Sequence, residues 1–147
     1  MLDPFNALTR RFDVPPSDGP TFVVKDLFDI KGLPTTAGAK MRLEAAPAGQ
    51  DAEAVARLKA AGARLVGTAN MDEYAYGFAT VNAHFGTTRN PYDISRLAGG
   101  SSGGSSAAAA AFEAPLDSSP APGGSIRQPA AVTGIVGHHP TYGAVSR

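Results

Sequence analysis

A chain of 147 residues with 43% hydrophobic and 18% charged side chains is long enough for one moderate core and has the composition of a soluble globular domain. Thirteen basic residues balance thirteen acidic ones, and no apolar run approaches bilayer-spanning length, so neither nucleic acid nor membrane is an expected partner. The absence of cysteine excludes disulfides, thiol nucleophiles and thiolate metal sites. His84, His138 and His139 have no metal-ligating spacing and read as ordinary surface or core side chains. The opening Met1-Leu2-Asp3-Pro4-Phe5 lacks the basic and apolar regions of a secretion signal, which makes the cytoplasm the default address.

The first twenty residues read as a lead-in: a short helix over Pro4 to Arg11, then Val14-Pro15-Pro16-Ser17-Asp18-Gly19-Pro20, where prolines and glycine oppose regular structure. Thr21 to Val24 is a continuous apolar run of the kind buried on both faces of a parallel sheet, closed by Lys25 and Asp26. After the turn-rich Gly32 to Gly38, residues Asp51 to Ala61 predict a helix. Asp51 is its N-cap, Glu53 faces the positive end of the dipole, Val55 and Leu58 with Ala54 and Ala61 form the apolar stripe, and Gly62 ends it. Arg64 to Gly67 is a second strand. Strand, helix and strand at this spacing predict a right-handed crossover in a parallel or mixed sheet, hence an α/β fold.

Further along, Asn70 to Phe78 reads as helical or irregular and Thr87 to Arg96 as a polar loop around Asn90-Pro91. Ser105 to Glu113, with alanine from 107 to 111, predicts a helix that starts directly after Gly99-Gly100-Ser101-Ser102-Gly103-Gly104. Ser101 and Ser102 are thereby placed at a helix N-terminus.

That loop, Gly123-Gly124-Ser125-Ile126-Arg127 and Lys25 carry the chemistry of interest. A serine hydroxyl is a poor nucleophile until a base takes its proton, and lysine can be that base once burial favours its neutral form. Taken one at a time, these residues have commoner fates: a linker or cap for the first loop, a turn serine, a solvated arginine, and a lysine ending a strand at the surface. Phosphate binding is weakly supported, because the loop lacks the Gly-Lys-Ser/Thr ending of a P-loop. Gly100 to Gly104 also fits G-x-S-x-G, with Asp117 and then His138 or His139 in the order an α/β-hydrolase esterase using Ser102 requires. No hydrophobic strand precedes it, which leaves this a minor alternative.

Val24-Lys25-Asp26, Gly32-Leu33-Pro34-Thr35-Thr36-Ala37-Gly38, Asn70-Met71-Asp72-Glu73, Thr88-Arg89-Asn90-Pro91, the two serine-glycine loops and Pro140-Thr141-Tyr142-Gly143 follow one another in the order of the amidase signature family. From about residue 20 to 147 the chain resembles the N-terminal part of that family, in particular its glutamyl-tRNA amidotransferase and ureido/biuret branches. The resemblance implies a Ser-cisSer-Lys triad, with Ser125 as nucleophile, Ser101 as relay across a cis Gly100–Ser101 bond, and Lys25 as base. Ser101 and Ser125 stand 24 positions apart, the family's own interval. It also implies hydrolysis of a carboxamide C–N bond in a small-molecule amide through a seryl acyl-enzyme, with no cofactor or metal. Backbone N–H groups of Gly123, Gly124 and Ser125 would face the oxyanion, and Arg127 would anchor the loop by an ion pair. Similarity to the ureido and biuret branch makes Asn70, Tyr74, Tyr76 and Phe78 a hint of a small polar substrate.

Departures from the family pattern bear on activity. Ala121 and Pro122 stand where the family has an acid and a threonine, and proline has no N–H to offer an oxyanion. One such donor is worth about 2.7–4 kcal/mol in a well-formed oxyanion hole. Pro120 and Pro122 also argue against a central ladder strand here. Phe112-Glu113 and His138-His139 replace the family's usual residues, and the family continues well past the Tyr-Gly motif. The expected architecture is thus a partial amidase-signature fold over residues 21–147, a mixed, mostly parallel sheet flanked by helices without the family's C-terminal part. Its expected alternative function is a catalytically silent binding or assembly module, with a homo-oligomer or complementing subunit covering the incomplete sheet.

Overall fold

The sheet is organised around one strand whose side chains are buried on both faces. The structure, a computed structural model, describes residues 3–16, 18–111, 124–141, 143–144 and the backbone of 116–118. Along the chain run β1 (Leu8–Arg11), β2 (Thr21–Lys25), α1 (Glu53–Ala60), β3 (Arg64–Ala69), β4 (Val81–Asn82), β5 (Gly86–Thr87), β6 (Arg89–Asn90), β7 (Asp93–Leu97), α2 (Gly103–Ala110), β8 (Leu116–Ser118) and α3 (Arg127–Thr133). A single turn of 3-10 helix lies at Lys40–Arg42, and Glu73–Ala75 forms an irregular turn in which Tyr74 and Ala75 have positive φ. Among the described residues a four-stranded sheet has the order β1-β3-β2-β8. β2 is parallel to both β3 and β8, and β1 is antiparallel to β3, which gives the mixed, mostly parallel sheet that the sequence predicts.

Strand alternation divides the core between two faces. Phe22 and Val24 pack with Ile30, Val55, Ala63 and Leu65 on the α1 side. Val23 points the other way and packs with Ala7, Ala69, Ala98, Ala107 and Ala108 beneath α2. The α2 side chains in that contact are all alanine, so the helix lies close to the sheet. Lys25 follows Val23 by two residues and therefore shares the α2 face.

The expected helix over Pro4 to Arg11 is not formed. Asn6 adopts φ 51°, and Asp3 accepts the N–H groups of Phe5 (3.2 Å) and Leu8 (2.9 Å). Leu8–Arg11 then pairs with β3, a case of long-range pairing overriding local helix propensity. The polar loop expected over Thr87 to Arg96 is instead largely strand, with β6 and β7 paired antiparallel. Asn90 Oδ1 accepts the Tyr92 N–H at 3.0 Å, and this Asx turn reverses the chain at Pro91. The helix predicted from Ser105 begins two residues earlier, at Gly103. β8 ends before Pro120; the prolines at 120 and 122, together with Phe112-Glu113, lie outside the described residues.

The α1 helix ends as expected, with Gly62 at φ +88° and the Gly62 and Ala63 N–H groups donating to Lys59 and Leu58 carbonyls. At its start the position before the first helical residue is Ala52, not Asp51. Asp51 instead joins two elements, accepting the Lys31 N–H at 2.8 Å and the Lys59 ammonium at 2.7 Å. Partial desolvation pulls the Asp51 carboxyl upward, but the Lys59 and Lys31 hydrogen bonds and the two lysine charges outweigh it and hold the group below its ordinary value of 3.8. Asp51→Ala is expected to cost about 1 kcal/mol at neutral pH, since the ion pair is partly solvated. A folded-state value below the unfolded one stabilises above pH 3.8 and is lost as the pH falls through the folded value. Urea unfolding at pH 7 and again well below 3.8 checks this: the gap between wild type and variant should close in acid, and a constant gap would refute the linkage.

Candidate active site

Lys25 ends β2 at the carboxyl edge of the sheet, the side where open α/β sheets carry their ligands. The side chain is fully buried. Its Nζ lies 2.6 Å from Ser101 Oγ and 2.9 Å from Ser102 Oγ, so a group on β2 meets two hydroxyls 76 and 77 residues further along the chain. Ser101 and Ser102 are also buried, Ser102 being the residue that precedes α2. The Gly100–Ser101 peptide bond is cis, as the family resemblance implies.

Three contacts hold the segment from Gly100 to Gly103. The Gly100 N–H donates to Gln128 Oε1 at 2.9 Å, the Ser101 carbonyl accepts the Asp72 N–H at 3.2 Å, and the Gly103 N–H donates to Thr80 Oγ1 at 3.0 Å. Asp72 organises the loop on that side: its Oδ2 accepts the N–H groups of Ala79 (3.1 Å) and Thr80 (3.0 Å). Gly100 sits so tightly against this loop that a Cβ would stand 2.2 Å from Asp72 Oδ2 and 2.5 Å from the Ala79 nitrogen. Sequence reasoning gave Asp72, Thr80 and Gln128 no role. Asp72 stood within a recognised motif, but most of these contacts run to backbone groups and leave no trace in spacing.

Next to Lys25, Asp26 is buried and fixes the loop that begins at Thr36. Its carboxylate accepts the Thr36 N–H and hydroxyl and the Thr9 hydroxyl, and its carbonyl accepts the Ala37 N–H. Burial pushes the Asp26 carboxyl up, and this outweighs the opposing hydrogen bonds from Thr36 and Thr9 and the charge of Arg10.

Ser125, the expected nucleophile, is buried and lies two residues before α3. Gly124 precedes it, and the Gly124 carbonyl accepts the Gln128 N–H at 2.8 Å. Gly123, with Ala121, Pro122 and Tyr142, lies outside the described residues. Direct hydroxyl contacts join Lys25 with Ser101 and Ser102, and Gln128 links the Gly124 carbonyl, next to Ser125, to the Gly100 N–H, next to Ser101.

Other expectations separate at this point. Asn70 uses its amide inside the fold, donating to the Asn6 and Gly86 carbonyls and accepting the Met71 N–H, so it is a structural tie rather than a substrate contact. Tyr74, Tyr76 and Phe78 are exposed on the Asp72 loop. His138 and His139 are exposed, His84 is 3.7 Å from Glu73, and no metal-holding cluster occurs among the described residues. The G-x-S-x-G reading of Ser102 finds no support in topology, because β7 pairs with β6 outside the four-stranded sheet. No helix among the described residues is long and apolar enough to cross a membrane.

A model of the amidase family matches residues 6–147. The chain is 54% identical to AtzE, a component of the 1-carboxybiuret hydrolase of Pseudomonas sp. (strain ADP), over 91% of its own length and 29% of that protein. It is 56% identical to a glutamyl-tRNA(Gln) amidotransferase subunit from Acidothermus cellulolyticus over 90% of its length and 26% of the relative. The crystal structure of the corresponding protein from Thermotoga maritima superposes with a TM-score of 0.89 at 39% identity, covering 98% of this chain and 33% of that one. The chain thus spans between a quarter and a third of the length of these relatives.

Proposed function

We propose, from the premise that this chain belongs to the amidase family, that it carries the serine machinery for hydrolysing a carboxamide C–N bond in a small molecule. Ser125 is the nucleophile, Ser101 the relay and Lys25 the base. The observation that carries the reading is the buried contact of 2.6 Å between Lys25 Nζ and Ser101 Oγ. A lysine removed from water is in the setting that favours the neutral amine, the form able to accept a proton. Its lone pair can take the Ser101 proton while one of its N–H groups donates to Ser102 at 2.9 Å.

Ser101 then takes the Ser125 proton as Ser125 Oγ attacks the amide carbonyl. The relay returns that proton to the departing nitrogen, the C–N bond breaks, and the acyl group stays on Ser125 as an ester. Water, deprotonated through the same relay, attacks the ester carbonyl; the bond to Ser125 Oγ breaks, that oxygen takes the relayed proton back, and the acid is released. Backbone N–H groups of Gly123, Gly124 and Ser125 are the proposed oxyanion donors. The relatives' membership of multi-component enzymes, together with exposed Tyr92, Ile94 and Val136, supports association with a further subunit.

An acyl-serine probe with mass mapping of the adduct tests the assignment. Ser125 is expected to carry the label, and Ser125→Ala to lose both label and amide turnover by on the order of a thousandfold or more. A label on Ser102 would support the esterase alternative instead. No label and no turnover would leave the binding-module reading.

A further inference from the structure

We infer that Gln128 is a positioning residue that sets the spacing between the two serine loops, an inference that rests on the proposed roles of Ser101 and Ser125. It holds each loop by a different group. Its backbone N–H donates to the Gly124 carbonyl at 2.8 Å, one residue before the nucleophile, and its side-chain Oε1 accepts the Gly100 N–H at 2.9 Å, one residue before the relay. An N–H can face only the carbonyl oxygen of the side-chain amide, so the amide's orientation is fixed by its partner.

The fit around this strut is close. A Cβ on Gly99 would stand 2.7 Å from Gln128 Oε1 and 2.8 Å from Pro129 Cα, so glycine is what allows the first loop to lie against the start of α3. Gly99 has φ +82°, which a side chain would also strain. Gly100 also lies close against Asp72 and Ala79, and the Gln128 hydrogen bond ties its N–H to α3. Gln128 itself is exposed, and its amide adds little to the core. Its effect is on the relative placement of two hydroxyls, where a displacement of about 1 Å can cost roughly a hundredfold in rate.

The test compares wild type, Gln128→Ala and Gln128→Glu, the last keeping an acceptor oxygen at the same reach. Hydrogen exchange at the Gly100 amide, read by NMR, should be slow in wild type and Gln128→Glu and at least tenfold faster in Gln128→Ala. The rate of acylation by the acyl-serine probe should fall about tenfold or more in Gln128→Ala with probe affinity unchanged, and recover in Gln128→Glu. Unchanged Gly100 exchange in the alanine variant would overturn the strut. Unchanged acylation in that variant, with wild type reactive at Ser125, would overturn the positioning role. A wild type unreactive at Ser125 would defeat both the catalytic reading and the positioning role built on it, while the exchange data would still report on the hydrogen bond.

Discussion

Lys25→Met is expected to abolish amide turnover, by roughly a hundred- to ten-thousandfold, while leaving the protein folded. Methionine matches the lysine stem in length and is content in an apolar site, so the buried volume is kept. Two effects on stability oppose each other. The Ser101 and Ser102 hydroxyls lose a partner at 2.6 and 2.9 Å, a loss of about 1–3 kcal/mol if neither finds another. The fully buried amine also no longer has to leave water on folding, which offsets the loss by a comparable amount. The net change in unfolding free energy should therefore stay within about 2 kcal/mol. A purely structural lysine would give the reverse pattern, with a large loss of stability and little change in turnover per folded molecule. Urea unfolding and single-turnover kinetics on the same preparations separate the two. Turnover above a tenth of wild type in a folded Lys25→Met protein would mean that the base lies elsewhere.

The parts of the fold that were legible in the sequence are those with a buried face. Thr21 to Val24 reads as a strand because burial on both faces demands continuous apolar residues, and Arg64 to Gly67 reads as a second short strand; each is longer by one or two residues at its end, to Lys25 and Ala69. β1 and β7 were not legible, since Leu-Thr-Arg-Arg and Asp-Ile-Ser-Arg-Leu present no consistently buried side and exist by pairing with a neighbour. Asp51 misled for a related reason. Its sequence position suited a helix cap, but the Lys59 ammonium and the Lys31 N–H compete for the same carboxylate.

The candidate site was legible only in part. Alternation along β2 was enough to send Lys25 to the face opposite Phe22 and Val24, but nothing local tells which hydroxyls it meets there. That pairing came from the order of motifs. Asp72 and Gln128 were missed because each acts largely on backbone groups, the Ser101 carbonyl and the Gly100 N–H, which have no side-chain signature.

Gly104→Ala is expected to be among the most damaging single-carbon changes, costing about 3 kcal/mol or more. Intrinsic propensity argues the other way, because alanine is favoured over glycine in a helix by about 1 kcal/mol. Packing decides the sign. A Cβ at 104 would stand 2.4 Å from the Ala7 carbonyl oxygen and 2.4 Å from both the nitrogen and the oxygen of Asn70, three backbone atoms in segments locked to the sheet. None of them can swing aside as a side-chain tip could, so α2 itself must lift. That movement would stretch the Gly104 N–H to Asn70 carbonyl hydrogen bond, now 3.0 Å, and carry Ser101 and Ser102 away from Lys25. Stability and turnover should therefore fall together, unlike the Lys25→Met pattern. Gly49→Ala is the matched control: nothing lies within 4 Å of its added carbon, and a change within about 0.5 kcal/mol is expected. Chemical denaturation of the two variants side by side decides the matter, and a Gly104→Ala protein as stable as the Gly49→Ala control would mean that the helix is not seated this close to the sheet.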